Sequence, residues 1–425
     1  MAAMTSSSGA GGDGRGGDGR GQAPRPRVVT FGADEWIADI PLPNLPNVLV
    51  TLPTQGGQIP NMRFLKSITL WWEGRITNAA SNNPTGFQQD GFATLIDTIK
   101  IQGTHRVRGK QEQFINVRGP DMREWVAIFQ GKFPDAQLNI NGTLKAAGQL
   151  NSGQGFSNYY GASLLDLTAS HFNDISFSIE VPFPPLGVGA GQIIDFLLDA
   201  PNYDNLVLQI SAADDQSVFT YSTRTAPAFA AYGGSGNPQI RTYGTFAKQG
   251  LTAFSGFVPA RVFRWFDEKT GSPLTTTSTG VRLNNINRGN KIRGLLFKTG
   301  TRSSAVASGF NAYATLLDTI LSANLQFMQG TNKQIRFFQN YRHMRQFTTK
   351  MYGLEYDVGF ALLDFAKHGT VRESLNLRAA VVGASGDVDT YFQSDVLGAA
   401  NQAELAMYEE LYYDPSMNGQ PYQSY

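Results

Sequence analysis

Ala93-Thr94-Leu95-Ile96-Asp97-Thr98-Ile99 returns as Ala314-Thr315-Leu316-Leu317-Asp318-Thr319-Ile320, identical at six of seven positions, with an aromatic residue (Phe92, then Tyr313) in front of each copy. Asp97 and Asp318 lie 318 − 97 = 221 residues apart. A solenoid would repeat every few tens of residues; one recurrence at half the chain length points instead to two copies of one domain.

The flanks support the duplication. Upstream of the two copies lie apolar runs, Phe64 to Trp72 and Ile292 to Phe297, each followed by a polar loop. Downstream, Ile101-Gln102-Gly103-Thr104 returns as Met328-Gln329-Gly330-Thr331, at a spacing of 328 − 101 = 227 that requires a short insertion. Next comes a short helix. Pro120 suits a first helical turn, Asp121 complements the helix N-terminus, and Met122, Trp125, Val126 and Phe129 recur at i, i+3, i+4, i+7. Met344, Phe347 and Met351 keep that phase in the second half, within Arg342 to Met351. Each half also contains an Asp-Phe pair, in Ile194-Asp195-Phe196-Leu197-Leu198-Asp199 and in Leu363-Asp364-Phe365-Ala366, and strands are expected about ten residues later, at Leu206 and Leu375.

Composition bounds the class. A chain of 425 residues has room for two domains, each with its own core. Hydrophobic content of 41% with 46 Gly and 20 Pro fits a packed, turn-rich protein and argues against a helical bundle. With 35 Lys+Arg against 34 Asp+Glu, no global field recruits nucleic acid, so any genome contact has to be local. The absence of cysteine rules out disulfides, thiolate metal sites and thiol nucleophiles. No apolar h-region opens the chain, so no secretory signal is expected. The longest apolar-rich stretch, Phe310 to Leu325, contains Asp318 and several polar residues and is not read as a membrane span.

Strand-like runs occur at 48–52, 175–181, 206–210, 239–243, 257–265 and 374–379, with turn residues between them. Asn141-Gly142 is a hairpin signal, and Pro182-Phe183-Pro184-Pro185 should end a strand. The expected class is all-β with short inserted helices, as two tandem eight-stranded jelly-roll sandwiches. The domain reading is a Gly-rich arm over 1–34, a first roll over 35–225, a linker over 226–239 containing Gly233-Gly234-Ser235-Gly236-Asn237-Pro238, a second roll over 240–415 and a tail over 416–425.

No catalytic constellation emerges. His105, His171, His343 and His368 lack metal-ligand spacing and read as surface or hydrogen-bonded structural residues. Gly103 to Lys110 fails as a phosphate loop: five residues separate its glycines where four are required, and Gln111 stands where Ser or Thr is needed. Gly383-Ala384-Ser385-Gly386 lacks nucleophile-elbow spacing, and the adjacent Asp214 and Asp215 read as turn residues. The duplicated Asp97 and Asp318 suggest a catalytic dyad, but neither is followed by the small Gly of an aspartic-protease nucleophile. Each is better read as capping a turn or pairing with Arg. Arg106, Arg108, Lys110 and Arg118 form a local basic run, read as a solvated face or, alternatively, an inter-subunit or phosphate contact. The chain is accordingly not expected to be an enzyme, and no cofactor or metal is expected.

The duplicated β architecture, the Phe/Tyr-Ala-Thr-Leu-Ile/Leu-Asp-Thr-Ile repeat and the Asp-Phe pairs together resemble the double jelly-roll major capsid proteins of tailless icosahedral double-stranded DNA viruses and bacteriophages, over most of 35–415. The resemblance implies two rolls standing side by side, a homotrimer presenting six rolls to a capsid lattice, contacts with minor capsid and penton proteins, assembly in the host cytoplasm and a final place in the virion. It also implies that loops such as Thr77 to Asp90, Ala136 to Asn158 and Lys269 to Arg288 build towers or subunit clasps. The arm, whose Arg15, Arg20, Arg25 and Arg27 outnumber Asp13 and Asp18, is expected to meet an internal lipid membrane, a minor capsid protein or the genome on the inner surface. The competing class is a two-domain β-sandwich module for carbohydrate binding or receptor attachment.

Overall fold

The computed structural model describes residues 30–42, 48–52, 59, 63–78, 84–89, 91–106, 109–131, 136–140, 142–146, 165–187, 196–213, 217–221, 228–248, 260–263, 281–282, 291–302, 313–316, 320–329, 332–353, 357, 359–365, 374–376, 389–396 and 402–411. Arg15, Arg20, Arg25, Arg27, Asp214, Asp215, Asp318 and His368 lie outside them.

Sixteen of the strands fall into two sets of eight. The first set is β1 (Glu35–Pro41), β2 (Val48–Leu52), β3 (Leu65–Thr77), β4 (Ile96–His105), β5 (Gln111–Arg118), β6 (Phe172–Pro182), β7 (Tyr203–Ala212) and β8 (Gln239–Phe246), with helix α1 (Gly119–Gln130) after β5. The second is β9 (Ala260–Phe263), β10 (Val281–Arg282), β11 (Lys291–Arg302), β12 (Ile320–Gln329), β13 (Asn332–Asn340), β14 (Phe360–Asp364), β15 (Asp389–Val396) and β16 (Gln402–Leu411), with α2 (Tyr341–Tyr352) after β13.

Pairing is the same in both sets. In the first, β1-β8-β3-β6 form one sheet and β2-β7-β4-β5 another; in the second, β9-β16-β11-β14 and β10-β15-β12-β13 repeat those orders strand for strand. All these pairings are antiparallel, and each set is an eight-stranded jelly roll. β3 shows why a sandwich forms: apolar Ile68, Leu70, Trp72 and Ile76 alternate with half-buried Thr69, Trp71, Glu73 and Arg75, so one face supplies the core.

Three expectations are corrected by the sheets. β8 pairs with both β1 and β3, so it is the last strand of the first roll, and the division between rolls falls between β8 and β9 rather than at 226–239. The Gly-rich stretch is a tight turn. Residues 228–230 pair with β3 just before it and β8 pairs with β3 just after it, while Ala231 donates to the Gly236 carbonyl and Gly233, Gly234 and Gly236 adopt φ of 85°, 104° and 94°. The two Asp-Phe pairs are not counterparts either. Phe183 donates its N–H to the Lys66 carbonyl and Phe365 donates to Arg293, so Phe365 matches Phe183, and β14 matches β6. Leu375 opens only a two-residue pairing with β11, matching the Leu198–Leu65 bridge; the counterpart of β7 is β15. Finally, the stretch beginning at Ala136 starts as a strand pair, 136–140 with 143–146, that extends the β6 edge through a turn at Gly142.

Candidate functional site

The feature that joins the two rolls is α1. Pro120 in the first turn, Asp121 beside the free N–H groups, and Gly131 at φ 68° closing the C-terminus define its ends. The apolar positions expected from sequence, Met122, Trp125, Val126 and Phe129, are all buried. So are Asp121, Arg123 and Glu124, because the helix has neighbours on every side. One face lies on β6, β4 and β5 of its own roll; the other meets β16 and α2 of the second. A single apolar core cluster therefore runs from the first roll to Leu296, Phe360, Leu362 and Met407 of the second. The sheets join as well: β9 pairs in parallel with β5, Val262 opposite Ile115 and Phe263 opposite Asn116.

Close approach at this seam needs small residues. A Cβ on Gly294 of β11 would come within 3.0 Å of the Trp125 ring across the seam, while within the first roll one on Gly119 would come within 2.0 Å of the Ile96 carbonyl oxygen, which seats the start of α1. Phe129 stacks edge-on against Tyr352 at 4.7 Å and lies under the Arg293 guanidinium at 4.0 Å.

Buried charges line the same seam: Asp121 and Glu124 of α1 are met from the second roll, and a second cluster lies within the second roll against Phe129. Lys298 donates to Asp121 at 3.1 Å, and the Asp357 N–H donates to Glu124 at 2.8 Å. Arg293 lies 3.3 Å from Glu409 and 3.9 Å from Asp364, and Tyr352 donates its hydroxyl proton to Asp364. Burial pushes the Glu409 carboxyl up to about 7 against the opposing pull of Arg293. Burial, reinforced by Asp357, holds Glu124 well above the usual carboxylate range, and burial with Asp364 raises the Tyr352 hydroxyl. Removing one member of such a buried pair typically costs about 3–5 kcal/mol, so the seam fixes the orientation of the rolls as well as holding them together.

Residues singled out from sequence go elsewhere. Asp97 is buried and lies 3.5 Å from Arg118, the expected pairing with an arginine. That pairing splits the basic run: Arg118 is inside, Lys110 is exposed, and the exposed Arg106 bonds Asp204 at 2.6 Å. His105 is buried edge-on against Tyr203, His171 bonds Asp166 at 2.6 Å, and His343 is exposed on α2. Among the described residues no three His, Asp or Glu side chains gather as metal ligands, and no helix is long and apolar enough to cross a membrane. The buried charges of the seam went unread because Asp121, Arg123 and Glu124 look like the solvated face of an amphipathic helix; only a second roll lying over them explains their burial.

No family model matches the chain, and no curated protein matches it. Its fold does match solved structures. The crystal structure of the major capsid protein of Sulfolobus turreted icosahedral virus aligns over 89% of this chain and 94% of that chain, at 13% identity and TM-score 0.52. The atomic structure of the same virus aligns over 92% and 94%, at 14% identity and TM-score 0.56. The major capsid protein P2 of bacteriophage PM2 aligns over 88% and 96%, at 10% identity and TM-score 0.44. At these identities the likeness is one of fold, and the fold shared with the Sulfolobus virus proteins is the double jelly roll.

Proposed function

We propose that this chain is a major capsid protein, a subunit that assembles with copies of itself into an icosahedral virus shell. The observation behind the reading is the seam. The two rolls repeat each other strand for strand and are locked edge to edge by a helix buried from Gly119 to Phe129 and a continuous sheet, so the chain is a two-unit tile. Three such tiles give a ring of six similar rolls, which fits a hexagonal lattice position, and subunit contacts of this permanent kind bury more than about 2,000 Å². The similarity of fold to the Sulfolobus virus capsid protein supports the same reading. The chain acts in the virion after assembly in the host cytoplasm, with penton and minor capsid proteins as its other partners, and it is a building unit rather than an enzyme.

The arm completes the proposal. Arg15, Arg20, Arg25 and Arg27 face inward and contact an anionic membrane surface, a minor capsid protein or the genome. Each basic residue contributes only about 1 kcal/mol at an anionic surface, but a closed shell presents many arms at once. Electron microscopy of the purified protein tests the reading: six-lobed particles are expected, and a population of isolated two-lobed monomers with glycan-binding activity contradicts it. Deletion of 2–23 should leave the trimers intact while reducing particle yield or stability.

A further inference from the structure

We propose that Lys298 and Asp121 condense to an amide, a covalent staple between the two rolls, with Glu404 as the group that carries the proton. The inference concerns the single chain and does not depend on the assembly reading.

Three elements bring the side chains together. Asp121 lies in the first turn of α1, part of the first roll, while Lys298 is on β11 and Glu404 on β16 of the second. Lys298 Nζ donates to Asp121 Oδ1 at 3.1 Å, and both side chains are 0% exposed. In the sheet, Lys298 stands opposite Glu404 on one side and opposite Phe360 of β14 on the other. Directly opposed residues of antiparallel strands project to one face with Cβ atoms about 4.5–5.5 Å apart, so the Glu404 carboxyl is within reach of the same amine. Glu404 is itself buried, and the Phe360 ring lies 5.2 Å from Nζ. An amine, a carboxyl for it to attack and a second carboxyl for proton transfer thus share one dry, aromatic-walled site.

An ion pair alone explains this arrangement less well. Taking an ammonium and a carboxylate out of water costs about as much as their attraction returns, and an apolar pair of the same shape holds a seam equally well. Condensation removes both charges from the interior. Lysine is also the one basic side chain suited to it: Arg118 and Arg293 are buried against carboxylates too, but a guanidinium keeps its protons and is no nucleophile.

The step balances. The Lys298 ammonium passes one proton to Glu404, and the amine nitrogen attacks Asp121 Cγ, forming the N–C bond. The negative charge that develops on the attacked carboxyl lies at the favourable N-terminal end of α1. One Asp121 oxygen then leaves as water, taking a second proton from the nitrogen and the proton held by Glu404. An ammonium and a carboxylate become an amide and a water molecule; Glu404 is restored, and nothing is oxidised or reduced. Fixed geometry takes the place of an activated acyl group, since well-oriented groups reach effective concentrations on the order of 10⁵–10⁸ M. The bond closes a loop between residues 177 apart, so it survives loss of the fold.

Mass spectrometry of the full chain, purified and shown to melt cooperatively, tests the proposal. After denaturation the intact mass should be lower than that of the sequence by one water molecule. Trypsin should release a branched peptide, Gly119 to Arg123 joined to Gly294 to Arg302, with no cleavage after Lys298. Lys298→Met should restore the full mass. Glu404→Gln, which keeps the Lys298–Asp121 pair, should slow the appearance of the lighter species at least tenfold. The full mass in the folded, unmodified chain, with linear peptides ending at Lys298, overturns the proposal; a Glu404→Gln chain that loses water as fast as the unmodified one overturns the role given to Glu404.

Discussion

At the scale of single residues, sequence and context decide separately. Ala-Thr-Leu occurs in both copies of the repeat, yet Ala93-Thr94-Leu95 forms a 3-10 turn and Ala314-Thr315-Leu316 lies in a strand paired with the end of β11. The turn is held by Thr94, whose hydroxyl donates to the Gly91 carbonyl at 2.7 Å and lies 3.0 Å from that of Ser217, and by Gly91 at φ 74°. The repeat thus disclosed the duplication without disclosing the local backbone, because tertiary hydrogen bonds override the preference of a tripeptide. The buried charges yield a pH prediction. Glu409 is raised from 4.5 to about 7, so its protonated form is favoured in the fold. Its contribution is complete below pH 4.5 and is lost as pH rises through about 7, on the order of 3 kcal/mol over that window. Thermal melts should show stability falling across this window, and Glu409→Gln should flatten that fall; an unchanged profile in the variant contradicts the assignment. Arg293→Met should lower stability by about 3–5 kcal/mol, read from denaturant midpoints, because it leaves Glu409 and Asp364 buried without that cation.

At the scale of elements, the two helices form a matched pair with different surroundings, and matched substitutions should separate them. Trp125→Ala opens a cavity between the rolls and should cost about 3–5 kcal/mol, whereas Phe347→Ala on the exposed face of α2 should change the stability of an unassembled copy by less than about 1 kcal/mol. Gly131→Ala should likewise cost more than Gly353→Ala, since both strain a left-handed cap but only the first drives a methyl group into the Tyr352 carbonyl. Equal losses within either pair, measured by chemical denaturation, contradict this account of the seam. The helices themselves were legible from Pro120, Asp121 and the 3.6-residue spacing, as were β6 and β7 from their apolar runs. The run at 239–243 was legible as a strand, but not as the last strand of the first roll. Gly233 to Pro238 reads equally well as a linker or a turn, because glycine signals backbone freedom without saying whether the chain reverses, and here it reverses onto β3.

At the scale of the whole molecule, one sheet order used twice explains both what the chain holds together and what it leaves open. The first roll places α1 and the edge of β5 against the second; the second roll presents α2 and the edge of β13 outward. The sequence could show that there are two copies, since repetition is a property of residues, but a seam depends on which faces remain uncovered and so becomes visible only once the sheets are assembled. Sedimentation equilibrium of the purified full-length chain at micromolar concentration tests the central claim most directly. The account predicts a single species at three times the 46.3 kDa chain mass; a well-folded species at 46.3 kDa with no concentration dependence contradicts it.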